Sequence, residues 1–211
     1  MSGPVRLAVD VSHPAASALE TAARLLCARG LVAFPTETFY GLGANALDEA
    51  AVARVFHAKG RPADKPILVL VDSLEMVAEV ARDVSALARR LMARYWPGAL
   101  TLVLRAHAGL PDALTAGTGT IGVRLPGHPV ARALVGAFGG PVTAPSANPH
   151  GQASPRTADE VIAGLAERVD LVLDGGATPG GPASTLLDLT RTPPVVLRAG
   201  AVVPAAEDLA G

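Results

Sequence analysis

The segment KGRPADKP at residues 59–66 carries three cations within eight residues, Lys59, Arg61 and Lys65. The whole chain has 18 Lys and Arg against 19 Asp and Glu, so this concentration of positive charge is local. Cations on a stretch broken by Gly and Pro can bind an anion such as a phosphate group. A Lys-Gly-Arg sequence at a helix end also occurs for structural reasons alone, because cations there interact favourably with the helix dipole. Both interpretations remain open for this segment taken by itself.

Three further segments are polar, rich in Gly or Pro, and follow predicted strands, which is where α/β sheets usually bind ligands. They are PTETFYGLGA (35–44), APSANPHGQASP (144–155) and GGPAST (180–185). Short hydroxyls are the side chains that could bind an anion here: Thr38, Ser146, Ser154, Ser184 and, before another strand, Thr120. The glycines would let backbone N–H groups approach such an anion closely. As a structural alternative, APSAN is also a plausible Ser- and Asn-rich turn.

Two arginines each end an apolar strand, Arg124 in TIGVRL and Arg198 in VVLRAG. An unpaired guanidinium in an apolar neighbourhood is costly, so both side chains need an anion. Glu37 and Asp64 are the nearest candidates for internal pairing. A ligand that carries phosphate groups is the alternative partner, and the sequence favours it because carboxylates are sparse near these strands.

Other motif fragments are weaker. GLGANA (41–46) matches the dinucleotide-binding pattern, but PTETFY separates it from the preceding strand, whereas the pattern requires the glycines directly after the strand. No GxxxxGK[ST] sequence is present. Ser146 with His150 lacks the nucleophile elbow of a hydrolase. The five histidines have no spacing typical of a transition-metal site, so the sequence predicts no protein-held metal.

The elements that must position these residues alternate between strands and helices over most of the chain. Helical patterns are predicted after Pro14 and Asp48, over 74–81 and 84–95, from Pro129, and over TADEVIAGLAERV. Strands are predicted at LVAF, ILVLV, LTLVLR, TIGVRL, PVTA, LVLD, STLLDL and VVLR. The last three strands leave no room for helices between them, which predicts an α/β fold with a mixed parallel and antiparallel sheet. The segment after Val203 is expected to fray.

The composition fits one intracellular domain. We expect residues 1–211 to form a single unit, with half of the residues hydrophobic but only seven aromatic, so that Ala, Val and Leu build the core. The one cysteine, Cys27, allows no intrachain disulfide. No signal peptide or membrane-spanning run is evident, which predicts a soluble, cytoplasmic protein.

Taken together, six segments resemble the YrdC/TsaC threonylcarbamoyl-AMP synthases. They occur in that family in the same order and at the same spacing: PTETFYGLG, KGRP, TIGVRLPGHP, PSAN, GGPAST and VLRAG. The paired family signature, Lys-x-Arg with Ser-x-Asn, corresponds to Lys59-Gly-Arg61 and Ser146-Ala147-Asn148. The similarity covers about residues 15–203 and implies a YrdC-like fold, in which a twisted mixed sheet flanked by helices encloses a basic cavity.

The resemblance implies a reaction that condenses L-threonine, bicarbonate or CO2 and ATP to threonylcarbamoyl-AMP plus pyrophosphate, for tRNA modification. The residues it implies around threonine are Thr38, Arg124, Ala144 through its backbone, and Ser184. Those it implies around ATP are Arg61, Lys65, Thr120, Ser146, Asn148, Ser154 and Arg198. Lys59 and Arg61 would be catalytic at the phosphates, and Mg2+ would be held through the ATP phosphates. Expected partners are downstream threonylcarbamoyl-transferase proteins, with tRNA as a candidate.

Two positions depart from the family pattern, which often has Asn at Lys65 and sometimes His at Leu70. The length resembles the short, single-domain members, since long members carry a linker and a second domain. A different class of function also remains open, a non-catalytic module that binds double-stranded RNA or tRNA in the basic concavity. The scarcity of aromatic side chains argues against recognition of single strands. The related domain of hydrogenase maturation factors is a further enzymatic alternative, although its zinc-finger and acylphosphatase modules are not in this sequence.

Overall fold

The computed structural model describes residues 3–62 and 64–209. The termini of the predicted 1–211 unit and Ala63 of KGRPADKP lie outside this range. The helices are α1 (Ala16–Cys27), α2 (Glu49–Lys59), α3 (Val77–Val80), α4 (Ala86–Tyr95), α5 (Asp112–Thr115), α6 (Pro129–Phe138), α7 (Ala158–Leu165) and α8 (Ala206–Leu209), with a 3-10 turn at Ala166–Arg168. The strands are β1 (Val5–Ala8), β2 (Val32–Pro35), β3 (Tyr40–Gly43), β4 (Val69–Leu70), β5 (Ala81–Arg82), β6 (Leu100–Ala106), β7 (Thr120–Arg124), β8 (Val142–Thr143), β9 (Leu171–Asp174), β10 (Thr185–Asp188) and β11 (Val195–Arg198).

The strands of the described residues form two sheets. The smaller has the order β1-β9-β2-β3, and the larger has the order β11-β10-β6-β7-β4-β8 with β5 paired to β6. Both combine parallel and antiparallel pairs, so the predicted mixed α/β architecture is confirmed. The division into two sheets was not predicted. Strand β3 was not predicted either: its sequence YGLG has two glycines and reads as a loop, but it pairs with β2. A bridge between Gly41 and Ser146 links β3 to the segment that follows β8.

The local signals for helix ends are confirmed. Asp48 begins α2, because its carboxylate accepts a hydrogen bond of 3.0 Å from the Ala51 N–H. Gly60 ends the same helix in the left-handed conformation, with φ 58°. Pro129 occupies the first turn of α6, where its missing N–H costs nothing. Gly60 thus sets where Lys59, the last residue of α2, leaves that helix.

Two expectations near the C-terminus are wrong. Strand β11 is not buried: Val195, Val196 and Leu197 are exposed on the edge of the larger sheet. The argument that burial makes an unpaired cation costly therefore applies fully to Arg124 and only partly to Arg198. The segment after Val203 does not simply fray, because α8 is held by Asp208, which accepts hydrogen bonds from Arg94 at 2.6 Å and from the Tyr95 hydroxyl at 2.5 Å.

The hydrophobic core is built mainly from Ala, Val and Leu, as the composition predicts. Helices α1 and α6 contact each other and strand β2 at one side of the smaller sheet. The buried halves of β6 and β7 continue the core into the larger sheet. Across residues 3–62 and 64–209, the helices fall short of the length and apolar character that a membrane span requires.

Candidate active site

A cavity of about 680 Å³ is lined by strands of both sheets and by the loops between them. Ten of the twelve residues predicted for the site line it: Thr38, Arg61, Lys65, Thr120, Arg124, Ala144, Ser146, Ser154, Ser184 and Arg198. The other two, Lys59 and Asn148, are buried in the structure behind this surface. Segments that are distant in the sequence therefore converge on one concave site, which is the usual form of a small-molecule pocket.

The alternation of strand side chains explains how β7 contributes to the cavity. Thr120, Gly122 and Arg124 are two residues apart and all line it, while Ile121 and Val123 point to the core and are fully buried. A Cβ at Gly122 would lie 3.3 Å from Leu68 and Thr101 atoms, so glycine keeps this part of the floor open. Strand β7 thus places the Thr120 hydroxyl and the Arg124 guanidinium on the same side of the cavity, with the open space at Gly122 between them.

Arg124 is a buried cation at one end of this line. Only 4% of the residue is exposed, and its Nη1 lies 3.5 Å from a carboxylate oxygen of Glu37. Its Nε has no hydrogen-bond partner among the described residues. Burial lowers the pKa of Arg124, Glu37 opposes that shift, and the nearby Arg198 adds to it. The geometry leaves the guanidinium able to bind a further anion.

Arg198 reaches the same end of the cavity from the edge strand. Its guanidinium donates to the Ser184 carbonyl from Nε at 3.1 Å and from Nη2 at 2.9 Å, and Nη2 also lies 3.2 Å from the Ser184 hydroxyl. That hydroxyl is 2.8 Å from the hydroxyl of buried Thr101. Partial burial lowers the pKa of Arg198. Two guanidiniums and an anchored hydroxyl therefore face one part of the site.

Arg61 and Lys65 line the cavity from the segment between α2 and β4. The Arg61 side chain folds back on its own loop, donating to the carbonyls of Lys65 at 3.3 Å and Pro66 at 2.8 Å. Burial lowers the pKa of Arg61, and Asp64 opposes this shift. Lys65 is exposed at the same surface. Both cations therefore lie at a surface that a ligand can reach.

Lys59 corrects the expectation that all three cations of KGRPADKP face the cavity. Its residue is 3% exposed, and its ammonium donates to the main-chain carbonyls of Ser146 and Asn148, the latter at 2.6 Å. Burial, with a smaller effect of Arg61, lowers its pKa to about 8. Asn148 is also turned inward, donating from Nδ2 to the carbonyls of Pro149 and Gln152. Lys59 thus connects the Lys-x-Arg segment to the Ser-x-Asn segment from behind the residues that line the cavity.

The loop conformations around Thr38 and Ala144 determine which of their groups are available to a ligand in the cavity. Thr36 accepts from the Thr38 N–H at 3.2 Å and donates to the Phe39 carbonyl at 2.7 Å, a hydroxyl turn that presents Thr38 to the cavity. The Ala144 N–H already donates to the Leu68 carbonyl at 3.0 Å. The backbone group of Ala144 that remains for a ligand is therefore its carbonyl oxygen.

Sequence reasoning missed Asp188, Thr190 and Arg191, which also line the cavity. One oxygen of Asp188 accepts from the Thr190 N–H at 2.9 Å and its hydroxyl at 2.6 Å, and the other lies 3.1 Å from Arg191 Nε. The signal was the alternation in STLLDLT, since Ser184, Leu186, Asp188 and Thr190 line the cavity, whereas the intervening Thr185 and Leu187 are buried. Among the described lining residues Asp188 is the only carboxylate, against five Lys and Arg side chains.

No group of three or more His, Cys, Asp or Glu side chains that could hold a metal ion occurs in the described part of the chain. The Asp188 oxygens already accept bonds from Thr190 and Arg191. This donor set suits anions and hydrogen-bonding ligands better than a protein-held divalent cation.

Comparisons with known proteins identify the relatives of this chain. Residues 24–200 match the profile of the Sua5/YciO/YrdC family, which is described as "Telomere recombination". The chain is 48% identical over 170 residues to the threonylcarbamoyl-AMP synthase of Pyrococcus abyssi, and 44% identical over 185 residues to that of Bacillus subtilis. These matches cover 81% and 86% of this chain but 50% and 53% of the relatives, so the chain spans about half their length.

A solved structure extends the similarity to the fold. The crystal structure of P. abyssi Sua5 complexed with L-threonine superposes with a TM-score of 0.90 at 43% sequence identity. The superposition covers 93% of this chain and 57% of that chain. The fold is therefore shared, over 93% of this chain, with a protein crystallised with L-threonine.

Proposed function

Because the chain belongs to the Sua5/YciO/YrdC family, we propose that it is a threonylcarbamoyl-AMP synthase, the activity named for its relatives. In this reaction L-threonine, bicarbonate or CO2 and ATP give threonylcarbamoyl-AMP and pyrophosphate, which makes the protein a nucleotidyltransferase. The observation that carries the proposal is the convergence of Arg61, Arg124 and Arg198 on one cavity. Downstream threonylcarbamoyl-transferase proteins, and tRNA, are the partners that we propose for the product.

Threonine would bind at the end of the cavity where Arg124 and Ser184 lie. The Arg124 guanidinium would bind the threonine carboxylate, because it is buried and only loosely paired. The carbonyl of Ala144 would accept from the amino group, since its N–H is engaged with Leu68. Thr38, presented by its hydroxyl turn, and Ser184 supply hydroxyls for the polar remainder of the substrate.

ATP would occupy the rest of the cavity, with its phosphates among the cations. Arg61 and Lys65 would bind phosphate oxygens from one side and Arg198 from the other. Ser146, Ser154 and Thr120 supply hydroxyls along the same surface. We assign Lys59 and Asn148 to the loop that carries Ser146, because their side chains bind its backbone. Their contribution to ATP binding would then be indirect.

The chemistry fits a site of cations and hydroxyls. The deprotonated amine of threonine forms a bond to CO2 and loses one proton to solvent, which gives a carbamate with an anionic oxygen. That oxygen attacks the α-phosphorus of ATP, and the bond to the bridging oxygen breaks so that pyrophosphate leaves. The site must gather a carbamate, a carboxylate and a triphosphate against their mutual repulsion, and then stabilise charge on the leaving group. The guanidiniums of Arg61, Arg124 and Arg198 serve these purposes, and no acid–base pair of carboxylates is required.

We propose Mg2+ as the metal of this reaction, held mainly by the ATP phosphates. Asp188 is the only carboxylate of the described cavity lining, and both of its oxygens already have partners. When bound, the metal would neutralise part of the phosphate charge. Arg61 and Lys65 would still have to balance the remainder.

The proposal is tested by incubating the purified protein with ATP, threonine, bicarbonate and Mg2+ and measuring pyrophosphate. We expect pyrophosphate only in the complete mixture, together with a product that contains labelled threonine and AMP. Omitting threonine or bicarbonate should each abolish it. Binding of duplex RNA without any pyrophosphate would instead favour a non-catalytic module and would contradict the proposal.

A further inference from the structure

Glu37 forms an unusual pair with Arg124 behind the cavity. Both carboxylate oxygens of Glu37 are buried, yet neither accepts a hydrogen bond from the described residues. The nearer oxygen lies 3.5 Å from Arg124 Nη1. Glu37 itself is not among the described residues that line the cavity, so it can act on a ligand through its charge and through Arg124 but not by direct contact.

The contact between Glu37 and Arg124 is suited to balancing the charge of the guanidinium rather than to fixing its orientation. A carboxylate that positions an arginine usually accepts two parallel hydrogen bonds of about 2.8 Å. Here the distance is longer, Arg124 Nε is also unpartnered within the described chain, and the guanidinium remains free to turn toward another anion. A buried guanidinium nevertheless requires a negative charge close by. Glu37 supplies that charge without binding the fork of the arginine.

The surroundings of Glu37 support this interpretation. Besides the pKa of Arg124, the charge of Glu37 affects the pKa of His128, the residue before α6. Burial lowers the pKa of His128 and Glu37 opposes that effect, while His128 Nδ1 has no partner in residues 3–62 and 64–209. Glu37 is thus the acid that offsets the positive charge of this buried corner, where Arg198 also reduces the pKa of Arg124.

We infer that Glu37 is the internal counter-ion of Arg124 and that it weakens binding of ligand carboxylates while favouring ligands that also carry an amino group. The inference rests on the proposed function in that it takes threonine as the ligand of Arg124. Glu37 repels the incoming carboxylate and attracts the neighbouring ammonium. A zwitterionic amino acid experiences both effects, which largely cancel. A carboxylate without an amine experiences only the repulsion.

The sign of a binding change tests this inference. In the Glu37→Gln variant, we expect threonine to bind about 3-fold more tightly and 3-hydroxybutyrate, which lacks the amino group, on the order of 30-fold more tightly. Isothermal titration with each ligand measures both constants, and Glu75→Gln, at an exposed glutamate, is the matched control. If Glu37 instead orients Arg124, both ligands should bind more weakly to Glu37→Gln. Weaker or unchanged binding would overturn the inference.

A second measurement needs no ligand. Removing one charge of a buried pair leaves the other uncompensated, so Glu37→Gln and Arg124→Gln should each lower the Tm. The variant with both substitutions should then be more stable than the two single losses predict. Additive losses would contradict the pairing. If Glu37→Gln alone does not fold, recovery of folding in the double variant supports the pairing, and failure of the double variant to fold contradicts it. A wild-type protein that binds no threonine would contradict the proposed function and leave this stability test intact.

Discussion

The ammonium of Lys59 donates a hydrogen bond of 2.6 Å to the main-chain carbonyl of Asn148. This contact joins the last residue of α2 to the loop after β8, and the Ser146 carbonyl accepts a second bond from the same ammonium. The peptide N–H of His150 returns a bond of 2.7 Å to the Lys59 carbonyl. The lysine of KGRP therefore fixes the loop that presents Ser146 to the cavity.

Lys59→Met should lower the free energy of unfolding by about 2 kcal/mol, because two buried carbonyls lose their donor. It should also weaken ATP binding, since the Ser146 loop is no longer held, while threonine binding should change little. Lys65→Met is the matched control, because Lys65 is exposed at the cavity. We expect that variant to lose ATP affinity with no loss of stability. Urea unfolding and nucleotide titration distinguish the two lysines, and equal stability losses would contradict this division of roles.

The stability that Lys59 provides should depend on pH. Its pKa is about 8 in the folded protein, against an ordinary 10.5. Between these values the unfolded chain binds more protons than the folded one, so raising the pH favours the folded state. The difference in unfolding free energy between wild type and Lys59→Met should therefore grow from pH 8 upward, by on the order of 3 kcal/mol when complete. Urea unfolding at pH 7, 8, 9 and 10 measures it, and a difference that stays constant or shrinks would refute the assigned burial.

Arg61→Ala should reduce pyrophosphate formation roughly 10²-fold, because a cation that stabilises the leaving group is lost. Arg61→Lys should recover only part of the activity, since it keeps the charge but loses the fork that also binds the Lys65 and Pro66 carbonyls. Steady-state assays of pyrophosphate release at saturating threonine provide the measurement. Turnover close to wild type in Arg61→Ala would show that the side chain has no role in the reaction.

Threonine amide should bind at least about 10-fold more weakly than threonine, because Arg124 would lose its charged partner. The difference should be much smaller in Arg124→Gln, where no guanidinium distinguishes the acid from the amide. Calorimetric titration of both ligands into both proteins gives the comparison. Equal affinity of the wild type for acid and amide would rule out the pairing of Arg124 with the substrate carboxylate.

Local sequence determined much of the fold. Asp48 and Gly60 bound α2 because their capping chemistry involves only neighbouring residues. Runs such as LTLVLR and TIGVRL form strands because their apolar residues find burial on at least one face. The predictions from sequence fail where contacts between distant segments determine the local structure. YGLG becomes a strand because β2 is adjacent, and α8 is held because Asp208 meets Arg94 and Tyr95.

The same distinction applies to the site. The sequence by itself determined which side chains are available, because the residue types and the strand period of two place Thr120 and Arg124 on one face. Only the tertiary structure decided that the Lys59 side chain is buried against main-chain carbonyls while Arg61 lines the cavity. It also decided that Glu37 lies beside Arg124. Whether a charge is buried, paired or open to a ligand depends on groups brought close by folding. That proximity is absent from any local pattern.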